Sequence, residues 1–183
     1  DGPLEGRRPR SAAGRAPRWL VAASVRRLGD LGWDTRLETT YSIFGERGSI
    51  DVLGALPAVR AVLVEEIKSE LGSLEETIRK LDEKVRFVRE RIAESGFGRR
   101  PSIVGRLLVL PDTSMARSRV AGLDPVLGVA FPDRGSKVRA WLRAPEGGLA
   151  GILFQPVIAT GDRRNERMGV QRVRGPRSDK FLP

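Results

Sequence analysis

Asp51, Glu66 and Lys68 carry the one arrangement in this sequence whose residue types and spacing point to a reaction. Asp51 lies in SIDVLGAL at 49–56, and Glu66 and Lys68 close the apolar stretch VRAVLVEEIK at 59–68. Both stretches read as β-strands, bounded by the GERG turn at 45–48 and by Pro57. Along the second of them Val62, Val64, Glu66 and Lys68 project one way, while Ala61, Leu63, Glu65 and Ile67 project the other. Paired strands lie about 5 Å apart, close enough for Asp51 and Glu66 to converge on one cation. The backbone carbonyl of Ile67 is then a third protein ligand, and Lys68 reaches the space beside the ion. Such an ion neutralises a pentavalent phosphate and lowers the pKa of an attacking water, which is what phosphodiester hydrolysis requires.

The same residues allow two blander arrangements. Glu65, Glu66, Lys68 and Glu70 also describe the solvated end of a strand, and Asp51 with Lys68 also makes a structural ion pair. Against solvation, Asp51 sits between Ile50 and Val52, and Glu66 follows the VLV run directly. A buried carboxylate without a compensating charge is expensive, so something must answer each of them.

The chain contains neither Cys nor His, which excludes disulfides, structural zinc, Cys nucleophiles, histidine bases and Ser-His-Asp triads. A bound metal would have to be a hard cation on carboxylates, carbonyls and water, so Mg²⁺ or Mn²⁺ is the expected cofactor.

Elements must hold these residues in place. Pro17 opens a first helix with Leu20, Ala23, Leu28 and Leu31 at helical spacing, ending between Gly29 and Gly32. Residues 37–44 and 49–56 form a hairpin, and 59–68 supplies a third strand, central because both its faces begin apolar. From Ser73, whose hydroxyl with Glu76 fits a capping box, Leu74, Ile78, Leu81, Val85, Val88 and Ile92 make one stripe of a long helix until Gly96. SIVGRLLVLP at 102–111 is a buried strand. A helix at 114–121, a strand at 126–131, a helix at 136–143 and a strand at 149–155 follow. The expected class is α/β, a mixed central sheet with flanking helices.

The net charge of +10 is unevenly spread: residues 1–18 carry +3, residues 157–183 carry +4, and everything between carries only +3. The expected organisation is a disordered basic segment at 1–16, one domain at 17–156 and a disordered basic tail at 157–183. Arg outnumbers Lys 28 to five, a bias that a GC-rich genome produces as readily as selection for phosphate binding. The chain begins at Asp1, as a processed chain or the C-terminal part of a longer one would. No apolar run spans a membrane and the Arg-rich start lacks the core of a secretion signal, so no membrane partner and a cytoplasmic location are expected. Lys80 and Lys84, four apart on the long helix, read as an exposed face or as phosphate contacts. GERG lacks the Lys-Ser/Thr and helix start of a phosphate-cradling loop. Trp19, Trp33 and Trp141 read as core or edge packing.

At Asp51 and at Glu66 to Lys68 the sequence resembles the PD-(D/E)xK, or restriction-endonuclease-like, superfamily over roughly residues 17–112. GERGSIDVL at 45–53, LVEEIKSEL at 63–71, LDEKVRF at 81–87 and GRLLVLPD at 105–112 are similar to the C-terminal nuclease-like domain of bacterial helix-turn-helix transcriptional regulators, to about residue 155. The resemblance implies a restriction-endonuclease-like core of a helix, a three-stranded meander, a crossover helix and a further strand. It also implies metal ligation by Asp51 and Glu66, a catalytic role for Lys68, DNA as partner, and by analogy a homodimer. The implied activity is metal-dependent hydrolysis of DNA; the alternative is a non-cleaving effector domain of a helix-turn-helix regulator. The superfamily's frequent acid near the first helix has no counterpart at 17–29, leaving Asp30, Glu38 and Glu46 as substitutes.

Overall fold

A computed structural model describes residues 16–43, 45–91 and 100–157. The two expected basic tails lie outside them except for Ala16 and Val157, as does the predicted end of the long helix from Ile92 to Gly96.

Helix α1 (Arg18–Asp30) starts behind Pro17, whose carbonyl accepts the Val21 N–H at 3.1 Å. It buries Leu20, Ser24 and Leu28, one residue per turn. Gly32, with φ at +81°, turns the chain into β1 (Asp34–Ile43). A tight turn at Gly45, φ +84°, reverses it into β2 (Glu46–Leu56), so the second strand takes in the last three residues of GERG and begins three residues earlier than predicted. A 3₁₀ turn at Pro57–Val59 leads into β3 (Ala61–Ile67), which is buried at every position, as its doubly apolar pattern requires.

Helix α2 (Leu74–Arg91) begins where the capping box was expected, the Glu76 N–H donating to Ser73 Oγ at 3.3 Å. It crosses over to β4 (Ile103–Pro111), which runs parallel to β3. Then come α3 (Ser114–Gly122) and α4 (Asp124–Ala130), followed by a two-residue strand β5 (Asp133–Arg134), α5 (Gly135–Arg143) and β6 (Leu149–Gln155). The six strands form one mixed sheet in the order β1-β2-β3-β4-β6-β5, antiparallel through β3 and parallel beyond it. The expected α/β class with flanking helices is the observed one.

The strand predicted at 126–131 is corrected to helix α4. Pro125 lies in its first turn, and Leu127 and Phe131, four apart, both face the core. Val126 and Val129, whose β-branched character suggested a strand, are exposed.

Crossovers decide which face each helix covers. The step from β3 to β4 and the step from β5 to β6 run in opposite directions across the sheet, so right-handed connections put α2 and α5 on opposite faces. The core is accordingly double. Leu81, Phe87 and Val88 of α2 join Val120 of α3 and Leu127 of α4 over one face. Leu20 and Leu28 of α1 join Val138, Trp141 and Leu142 of α5 over the other. Trp33 and Trp141 stack there with centroids 5.7 Å apart, and each indole N–H reaches a carbonyl, that of Leu142 or of Gly147. These two Trp are core residues, as expected, whereas Trp19 is 41% exposed. Among the described residues, no helix is long and apolar enough to cross a membrane.

Glycine lets α5 approach the sheet. A Cβ on Gly105 would lie 2.6 Å from the Trp141 ring, and one on Gly151 would lie 2.7 Å from Val138. Gly105→Ala should therefore destabilise the fold by about 1–3 kcal/mol through overpacking, measured by urea unfolding. A neutral Gly105→Ala would contradict this packing of α5.

Candidate functional site

Asp51, Glu66, Ile67 and Lys68 meet where β2 and β3 run side by side. Val52 stands opposite Glu65 in the antiparallel register, so Asp51 reaches the level of Glu66 and Ile67. The Ile67 N–H donates to Asp51 Oδ2 at 2.7 Å, holding that carboxylate against the end of β3. The next N–H, that of Lys68, points the other way and donates to the Val109 carbonyl of β4 at 3.0 Å. In a trans peptide C=O and N–H are antiparallel, so the Ile67 carbonyl faces β2 and Asp51. The carbonyl expected to be the third ligand thus faces the Asp51 side.

Glu66 is 3% exposed and has both carboxylate oxygens engaged. Oε1 pairs with Lys68 Nζ at 2.9 Å, and Oε2 pairs with Lys84 Nζ. Lys84 comes from α2 and is itself buried. The cluster thus holds two carboxylates and two ammonium groups, charge-balanced, with Glu66 and Lys84 buried and Asp51 and Lys68 half-buried.

Its two acids behave differently. Burial pushes the Asp51 carboxyl above its ordinary range, and the negative charge of Glu66 pushes it further, against the opposing pull of Lys84, the Ile67 N–H and Lys68. For Glu66 burial is also the largest single influence and acts upward, but Lys84 and Lys68 together outweigh it and hold the carboxyl below its ordinary range. Asp51 is the strained partner.

Neither blander arrangement describes the site. Glu65 and Glu66 are buried, so the strand end is unsolvated there, and exposure begins beyond it, with Lys68 half-buried and Glu70 exposed. Lys68 pairs with Glu66 instead of forming the Asp51 ion pair. Lys84 is no exposed phosphate contact, although Lys80 does lie on the outer face of α2, paired with Glu76 at 2.6 Å. The signal for Lys84 was present in the apolar stripe: it sits three residues after Leu81 and four before Val88, both fully buried.

The substitutes for a first-helix acid do not complete the set. Glu38 stands between the Leu37–Val52 and Thr39–Ile50 pairs, level with Asp51, but is exposed and has φ at +47°. Asp30 lines a cleft between α1 and α5. The side chain of Glu46 lies outside the described residues. Among the described residues no three acids gather in a way that could hold a metal ion.

A second carboxylate, missed from the sequence, mirrors Glu66 on the opposite face. Glu65 is fully buried, and its Oε1 accepts from Arg27 Nη2 of α1 at 2.7 Å. Arg27 also donates to Ser24 Oγ and to Gln155 Oε1 of β6.

No family model matches this chain, and neither the curated proteins nor the solved structures contain a match to it.

Two substitutions separate the acids. Glu66→Gln takes from buried Lys84 the carboxylate it is paired with and should cost about 3–5 kcal/mol in urea unfolding. Asp51→Asn keeps an oxygen for the Ile67 N–H and removes the charge that burial disfavours. The folded pKa of Asp51 is raised, so its favourable contribution is present below the unfolded value of 3.8 and is lost as pH rises through the folded value. In metal-free buffer Asp51→Asn should be more stable than the wild type at pH 7, with the difference shrinking toward pH 4. A variant less stable at pH 7 would show that Asp51 is a stabilising charge.

Proposed function

We propose that this chain is a metal-dependent nuclease-like module that hydrolyses DNA phosphodiester bonds, with Asp51, Glu66 and the Ile67 carbonyl as ligands and Lys68 as the catalytic cation. The observation carrying this reading is the bond from the Ile67 N–H to Asp51 Oδ2, which fixes the two acids, the carbonyl and Lys68 at one strand end. The order α1, β1 to β3, α2, β4, with a meander followed by a parallel crossover, is also the core that the resemblance implies.

Two carboxylates and one carbonyl suit a Mg²⁺ or Mn²⁺ ion, which takes few protein ligands and keeps several waters. When bound, the ion supplies charge neutralisation at the phosphate and acidifies a water. Glu66 must release Lys68 from Oε1 to serve as a ligand, while Lys84 keeps Oε2 in position. The Lys68 ammonium so released orients the attacking water or stabilises the phosphate oxygens as the P–O bond to the leaving group breaks. The raised pKa of Asp51 fits this role, because a divalent cation relieves the repulsion that Glu66 imposes. The excess positive charge of the chain supports DNA as the polyanion attracted.

The second reading, a non-cleaving effector domain of a helix-turn-helix regulator, is favoured by Lys84. With that ammonium in place the cluster is balanced without an ion.

Calorimetric titration with Mn²⁺ and cleavage of plasmid DNA test the two together. The proposal expects saturable Mn²⁺ binding that is lost in Asp51→Asn, and metal-dependent nicking that falls by roughly a hundredfold or more in Lys68→Ala. Intact DNA with Mn²⁺ still bound would support the non-cleaving reading. Absence of Mn²⁺ binding to the wild type would contradict the metal site itself.

A further inference from the structure

We propose that the cleft between α1 and α5, on the sheet face opposite the Asp51–Glu66 cluster, is a binding site for a small phosphate-bearing ligand. The cleft encloses about 360 Å³, within the range of small-molecule sites. Arg26, Arg27 and Asp30 of α1 line one wall at helical spacing, and Arg139 and Arg143 of α5, four apart, line the other. Ala23, Leu31 and Leu142 add apolar surface, and Gln155 closes one end.

The charges of these walls are unequal. Arg27 is committed to Glu65, whereas Arg26, Arg139 and Arg143 meet no carboxylate among the described residues. Arg143 makes one long contact, 3.5 Å from Nη1 to the Arg139 carbonyl. Three uncommitted guanidiniums face one acid, Asp30, leaving two positive charges in excess. A phosphate monoester carries about −1.5 to −2 at pH 7, which matches that excess. Guanidinium forks recognise phosphate oxygens in pairs. Last-turn cations stabilise a helix through its dipole, which accounts for Arg27 and Arg143 but not for Arg26 and Arg139 on the same cleft.

The cleft runs along the sheet face from Gln155, the last residue of β6, to Leu142 and Arg143 at the end of α5. Apolar walls and a concave form favour a small molecule over the extended backbone of a nucleic acid.

The test is isothermal titration of the full chain at fixed salt with pyrophosphate, with adenosine monophosphate, and separately with a short DNA duplex. One-site saturable binding of pyrophosphate or of the monophosphate is expected, weakened by roughly tenfold or more in Arg139→Gln/Arg143→Gln. Both positions are exposed, so the double variant should fold, which circular dichroism checks. Arg89→Gln, at an exposed position of α2, should bind as the wild type does. Three results would overturn the proposal: no saturable binding of either small probe, equal losses in Arg89→Gln, or Arg139- and Arg143-dependent binding of the duplex alone.

Discussion

Two adjacent carboxylates at the end of a strand buried along its whole length are the constraint around which this fold is arranged. Glu65 and Glu66 project to opposite faces of β3, and neither is open to water. A buried charge without a partner costs several kcal/mol, so each face must bring a cation to the sheet. Arg27 of α1 answers Glu65, and Lys84 of α2 answers Glu66. The two ion pairs clamp α1 and α2 on either side of the same two residues. Hydrophobic burial supplies the driving force for packing these helices, while the pairs restrict the register in which each helix can sit.

Asp51 is the residue this arrangement leaves least comfortable. Its carboxylate is held on the Ile67 N–H beside Glu66, whose own charge is claimed by Lys68 and Lys84. A protein selected for stability alone gains little from a second acid there. In the proposed function a bound cation would offset this strain. Lys68, about a quarter exposed, is the member of the cluster with most freedom to move, whereas Lys84 is enclosed. The cluster therefore divides into a fixed half, Glu66 with Lys84, and an adaptable half, Asp51 with Lys68.

Most of the fold was legible from periodicity. The alternation of β3, the capping box at Ser73 and the stripe of α2 each produced the element they implied, because local pattern and burial agree there. The element misread as a strand, α4, has β-branched valines on its exposed side and turns only Leu127 inward, with Phe131 buried just past its end. In so short a segment strand propensity and helical spacing compete on few residues. At the site, Asp51, Glu66 and Lys68 were legible because pleat and pairing are local rules. Lys84 and Arg27 were not, since their partners lie 18 and 38 residues away and only the crossover geometry brings them to β3. A charged residue inside an apolar helical stripe was the available hint in α2, as Arg27 beside Leu28 was in α1.

The proposed function requires Asp51 and Glu66 to share one hard cation. A crystal grown with Mn²⁺, with data collected at the manganese absorption edge, tests it most directly. The expected result is one anomalous peak at metal–oxygen bonding distance, about 2.0–2.3 Å, from both carboxylates, with Lys68 withdrawn from Glu66 and Lys84 still in place. Glu66 bound by both lysines, with no anomalous density beside Asp51, would contradict it.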